Sequence, residues 1–225
     1  MPLTRDAFHQ ELKALTGLVQ SEADEVTRLL QTVLAAINRR DAARADETIA
    51  GDDRVDQLHI QIEQAVETLL AREAPVASDL RLILAVLHIN LHLERMGDQC
   101  VNIAKLAKLT FEDAPLPVDL MVTFGSMGEQ AQRMIEAAMG AFANRDLAQA
   151  ESLVEMDQVI NRANRDLVGR IMSLNGEASQ EAGLRAILIS RCLERIGDNA
   201  VDIGERTAYL VTTEFREFTD ASHPI

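Results

Sequence analysis

The segment Leu93-Glu94-Arg95-Met96-Gly97-Asp98 recurs one hundred residues later as Leu193-Glu194-Arg195-Ile196-Gly197-Asp198. The likeness continues from Cys100-Val101-Asn102-Ile103 to Ala200-Val201-Asp202-Ile203. A chain that repeats itself in this way places two copies of one supersecondary unit. Here it also repeats what a helix interior resists, a glycine and two carboxylates on one face. A duplicated departure from the folding rules suggests a duplicated site.

Helical periodicity runs through the chain, and no convincing alternating strand pattern appears. Aromatic residues make up 3% and apolar residues 47%, with five prolines and eleven glycines, the composition of long helices packed through aliphatic side chains. Expected helices run from about Asp6 to Asn38, Ala42 to Arg72, Ala77 or Ser78 to Thr110, Asp119 to Ala143, Leu147 to Leu174 and Ser179 to Thr213. Pro75 separates the second and third, two prolines at 115 and 117 separate the halves, and Asn175-Gly176 ends the fifth. The turns repeat as well, because Arg40-Asp41 and Arg145-Asp146 stand 105 residues apart. The offset falls from 105 to 100 between the second and third helices of the units, a difference expected in the turn. The chain is thus expected to be all-α, two tandem three-helix bundles with pseudo-twofold character. The first repeat is read at 1–111, the linker at 112–118, the second repeat at 119–217 and a tail at 218–225.

A formal net charge of −14 repels nucleic-acid phosphates and anionic lipid, and attracts divalent cations. No signal peptide is evident, and the most apolar run, Leu80 to Leu91, is too short to span a bilayer. Cys100 and Cys192 read as small apolar residues of a reducing compartment, so a cytoplasmic protein is expected.

On a helical wheel Glu94, Asp98 and Asn102 follow Leu84, Leu87 and Leu91 along one stripe, which is expected to face the core. The second copy supplies Glu194, Asp198 and Asp202. The preceding helix of each unit adds Asp52 and Asp56, and Asp157 and Asn161, again four residues apart. Antiparallel packing brings the two sets to the same end of a bundle. Carboxylates so placed repel each other and lose water, and a metal ion compensates both, since carboxylate and amide oxygens are hard ligands. Asp52 and Asp56 alone read more simply as a solvated pair near a helix start. Gly97 and Gly197 read first as points of close helix approach. His88 and His92 lie off the carboxylate stripe and read as surface or interface residues, while His59, one turn past Asp56, is a weaker candidate ligand. No Glu is followed by His at the third position, so the di-iron oxidase pattern is missing. No nucleophile–base arrangement, Gly-rich phosphate loop or basic pocket is recognisable.

The paired Leu-Glu-Arg-Met/Ile-Gly-Asp segments, Asp52-x-x-Val55-Asp56, Asp157-x-x-Ile160-Asn161 and Pro75-Val76-Ala77-Ser78-Asp79-Leu80-Arg81 together resemble the PhoU family over nearly the whole chain. The resemblance implies two three-helix bundles that bind metal ions through E/D-x-x-x-D motifs, in a shallow groove rather than a sealed core. The implied metal residues are Asp52, Asp56, Glu94, Asp98, Asn102, Asp157, Asn161, Glu194, Asp198 and Asp202. Iron, zinc, manganese, magnesium or calcium would suit them. It also implies a non-enzymatic, homodimeric or larger negative regulator. Such a regulator couples a phosphate ABC transporter, through its ATPase subunit, to a sensor histidine kinase, and could sit at the inner membrane through those partners. Asn161 stands where the motif favours Asp, and Asn102 where the second repeat has Asp202, so the two sites are expected to differ. The rival readings are an accessory of another phosphate transporter, a carboxylate-metal enzyme, and an adaptor whose acids pair with partner arginines.

Overall fold

Each turn between the first two helices of a unit is built by the same local rule. Arg40 and Arg145 take left-handed backbone (φ 52° and 56°), and the next residue's N–H closes back on the preceding helix. Asp41 N–H donates to Ala36 at 3.0 Å and Asp146 N–H to Ala141 at 3.0 Å, the six-residue closure that ends a helix on a left-handed residue. The same aspartates then cap the following helix, Asp41 accepting from Arg44 N–H at 3.2 Å and Asp146 from Gln149 N–H at 3.0 Å.

The computed structural model describes residues 5–111, 117–173 and 177–218. The helices are α1 (Arg5–Arg39), α2 (Ala42–Glu73), α3 (Ala77–Thr110), α4 (Val118–Asn144), α5 (Leu147–Met172) and α6 (Glu177–Thr212), and no strand occurs among the described residues. Most of the expected linker at 112–118, the Asn175-Gly176 stop and the tail beyond Phe218 lie outside the described residues. The offset between the units is not lost in a turn alone. α2 spans 32 residues and α5 only 26, so the shortfall is taken from the end of α5.

α1, α2 and α3 pack together, as do α4, α5 and α6, and α3 also packs along α6 and α1 along α4. Arg185 on α6 donates to the Leu109 carbonyl on α3 at 3.3 Å, while His92 on α3 meets Asn199 on α6 at 2.9 Å. The two helices are therefore antiparallel, and their register sets Met96 opposite Ile196, so the repeated segments lie side by side at the centre. One apolar core passes through both units: Leu15, Val26, Leu29 and Leu30 of α1, Ile83, Val86, Leu93 and Met96 of α3, and Leu193, Ile196 and Ile203 of α6 are buried within it.

This core corrects one expectation. Leu84 and Leu91 are 39% and 38% exposed, so the stripe leading to Glu94 is not the core face. The buried stripe of α3 is Ile83, Val86, Ile89, Leu93, Met96 and Cys100. The carboxylates flank it, in the partly open margin beside α2.

Candidate metal-binding faces

The glycine of each repeat makes room for a carboxylate. A Cβ on Gly97 would stand 3.0 Å from Asp52 Oδ1 and 3.3 Å from Val55 Cγ1. On Gly197 it would stand 3.2 Å from Asp157 Oδ1 and 3.4 Å from Met134 Sδ. Close helix approach and carboxylate placement are thus one device: the bare backbone of α3 or α6 lets Asp52 or Asp157 of the neighbouring helix lie against it.

In the first repeat this brings the expected acids into mutual range. Asp52 is pushed up to about 6, first by burial and then by the charges of Asp56, Asp98, Glu94 and Asp53. Glu94 is also held above the ordinary carboxylate range by burial, then by Asp98, with His59 and Arg95 opposing. Asp56 and Asp98 are exposed, so their oxygens remain open to solvent. The row is therefore a groove with a buried side and a wet side.

Beneath it lies a residue that the sequence reading passed over. Glu22 of α1 is fully buried, and neither of its oxygens has a hydrogen-bond partner. Burial, then the charge of Glu94, pushes it up to about 9. Across from it is the imidazole of His59 on α2, whose Nδ1 stands 4.0 Å from Glu22 Oε1, too far for a hydrogen bond. The other ring nitrogen lies 3.5 Å from Glu63. The signal for Glu22 was available: Leu15, Val19, Glu22, Val26, Leu29 and Val33 alternate spacings of four and three, so Glu22 falls on the core stripe.

The second repeat places the same positions differently. Asp157 is 5% exposed and accepts from Asn161 Nδ2 at 2.6 Å. Glu194 accepts from Asn164 Nδ2 at 2.7 Å and forms an ion pair with Arg191. Ser190 in turn donates to Asn164 Oδ1 at 2.7 Å. Asp198 is raised by burial and then by Glu194, with Arg191 opposing. At the offsets fixed by the turns, Asn164 occupies the place of His59, Met127 that of Glu22 and Arg191 that of Leu91.

Positions 102 and 202 turn toward the other unit. Asn102 lines a cleft of about 380 Å³ between α3 and α6, with Lys105, Arg191 and Arg195. Asp202 lies 3.4 Å from His92 Nδ1, and His92 is buried at this interface, whereas His88 is exposed. The cleft is a basic cluster invisible in the sequence, because Lys105 and the two arginines lie on different helices.

The donor chemistry fits a cation. The first face offers carboxylate oxygens, an imidazole and buried oxygens with no partner, a set suited to hard or borderline ions. Among the described residues no three His, Cys, Asp or Glu side chains already stand arranged to hold one.

Comparison with known proteins matches this arrangement across both units. The family model described as "PhoU domain" matches residues 19–107 and again 124–207. The phosphate-specific transport system accessory protein PhoU of Edwardsiella tarda is 30% identical over 210 residues, covering 92% of this chain and 86% of that protein. The homologue from Caulobacter vibrioides is 32% identical over 215 residues, covering 94% and 92%. The crystal structure of PhoU from Pseudomonas aeruginosa superposes with a TM-score of 0.84 at 30% identity, over 92% of this chain and all of that one.

Proposed function

The chain belongs to the PhoU family, and on that premise we propose that it is a non-enzymatic accessory regulator of phosphate-specific transport. It restrains phosphate uptake and phosphate-starvation signalling when phosphate is plentiful. It does so by coupling the ATPase subunit of a phosphate ABC transporter to a sensor histidine kinase, and it holds divalent or trivalent metal ions on its carboxylate faces. It works in the cytoplasm as a homodimer or larger assembly and reaches the membrane through its partners. Among the described residues no helix is long and apolar enough to cross a membrane.

The observation that carries the reading is the repetition of one arrangement, an aspartate seated on a glycine of the neighbouring helix beside a Glu-x-x-x-Asp pair, in a chain matched to the family through both repeats. The residues divide the work. Gly97 and Gly197 admit Asp52 and Asp157, which hold the inner edge of each face. Glu94 and Glu194 stand half-buried along the groove, and Asp98 and Asp198 stand one turn further, at the exposed edge. A bound cation supplies the positive charge that offsets their repulsion.

Deletion of the gene should switch on a phosphate-starvation reporter in phosphate-replete medium, and the intact gene should silence it again. A variant with Glu94, Asp98, Glu194 and Asp198 changed to Ala should fail to silence it, although the protein accumulates. A reporter that stays silent in the deletion strain contradicts the regulatory role. Full silencing by the quadruple variant contradicts the part assigned to the metal faces.

A further inference from the structure

The two faces are not equivalent, and the difference lies beneath the carboxylate rows. In the first repeat the floor is Glu22 of α1 and His59 of α2. Glu22 is fully buried with both oxygens unpartnered, and the Nδ1 of His59 is likewise buried without a hydrogen bond. The two atoms face each other across 4.0 Å. That separation is too long for a hydrogen bond. Two atoms ligating one ion at about 2.0–2.2 Å each stand at most about 4.4 Å apart, and about 3.4 Å apart in a tetrahedral site. The gap suits a shared ion after a small closure. Glu94 of α3 is the half-buried carboxylate of the same face; among the described residues no three such groups already stand arranged around one ion, so the set is completed only on closure.

We propose that Glu22 and His59 are inner ligands of a transition-metal ion on the first repeat, with Glu94 completing the set, and that this makes the first face the tighter of the two. The inference rests on the reading that the carboxylate faces bind metal, and it deepens that reading by adding α1 to a site otherwise built on α2 and α3. An imidazole among carboxylates selects borderline ions such as zinc, manganese, iron or cobalt over magnesium or calcium. The second repeat cannot build this floor. Met127 and Asn164 replace the two ligands, and Glu194 is already held by Asn164 and Arg191. One ion would tie α1, α2 and α3 together, so its binding should also raise the thermal stability of the chain.

The test is titration of the full chain with Co²⁺, followed by its visible absorption and by thermal melting. The variants are E22M and H59N, each taking the residue that the second repeat carries at that place, with E94Q/D98N as the control for the face itself. The wild type should bind one Co²⁺ more tightly than any other. E22M and H59N should each weaken that ion at least about 10-fold and alter its absorption band, while still folding by circular dichroism. If both bind Co²⁺ as the wild type does, while E94Q/D98N loses it, the face reading stands and the Glu22–His59 assignment is overturned. If E94Q/D98N also binds as the wild type does, or the wild type binds none, the metal face itself is overturned. Should E22M fail to fold, H59N decides by the same band and affinity.

Discussion

The first and second repeats share a backbone plan and differ in how they settle its charge. In the second, each inner acid has a protein partner: Asn161 for Asp157, and Asn164 with Arg191 for Glu194. In the first, Glu22 has no hydrogen-bond partner at all, and Asp52 sits among four other carboxylates that raise it. Duplication copied the frame, namely the left-handed turn, the aspartate cap, the glycine under the aspartate and the central pairing of α3 with α6. The charge balance was then settled separately in each copy. A buried carboxylate left without compensation weakens the fold unless something else supplies the compensation. On the proposed reading a cation supplies that compensation in the first repeat, whereas in the second Asn161, Asn164 and Arg191 supply part of it.

The largest effect that would break this comparison lies at Glu22. A carboxyl whose folded value rises from 4.5 to about 9 binds its proton more tightly in the folded than in the unfolded chain. It therefore subtracts stability as pH rises through that window, and the loss is complete only above pH 9. His59 of α2 and Glu94 of α3 are the titratable groups facing it. In the presence of a chelator, E22M should stabilise the chain by on the order of 1–3 kcal/mol at pH 8 and by little near pH 4.5, read from urea midpoints at the two values. A loss of stability at pH 8 would show that Glu22 is well compensated after all.

The glycines give the next contrast. Alanine at either place gains helix propensity of about 1 kcal/mol. At 97 the new methyl meets Asp52 Oδ1 and the stiff, β-branched Val55, and at 197 it meets Asp157 Oδ1 and the adaptable Met134. G97A should cost about 1–2 kcal/mol net, and G197A should fall close to neutral. Equal midpoints for the two variants would mean that the surroundings of the two glycines are equivalent.

The smallest expected effect is at Arg191. R191L gives the second repeat the residue of the first. Arg191 is 54% exposed along its side chain, so the change should move stability by less than about 1 kcal/mol. It also frees Glu194 in part, and the second face should then bind Co²⁺ a few-fold more tightly while the first is unaffected. An unchanged second face would mean that Asn164 alone is what occupies Glu194.

The six helices were legible because amphipathic periodicity is strong where aromatics and turns are few, and because the Arg-Asp corner occurs in both units while prolines or Asn-Gly mark the other boundaries. The orientation of α3 was not. Leu84 and Leu91 are apolar without being core, and Leu87 only borders it, since α3 packs on α1, α2 and α6 and carries apolar residues around much of its circumference. Apolar spacing then fails to say which face is buried. The acids on α2 and α3 could be paired from sequence through the antiparallel hairpin. Glu22 was obscured by its neighbours, Gln20, Ser21, Asp24 and Glu25, which make a polar run of a residue that the heptad spacing places inside. The turning of Asn102 and Asp202 toward the opposite unit depends on the packing of α3 against α6, which no local pattern encodes.

The first face is expected to bind a cation more tightly than the second. That difference is tested most directly by anomalous diffraction from crystals of the full chain grown with less than one equivalent of Mn²⁺. The account predicts an anomalous peak bounded by Glu22, His59 and Glu94, with none beside Asp157 and Glu194. Equal peaks on the two faces, or a peak on the second alone, would contradict it.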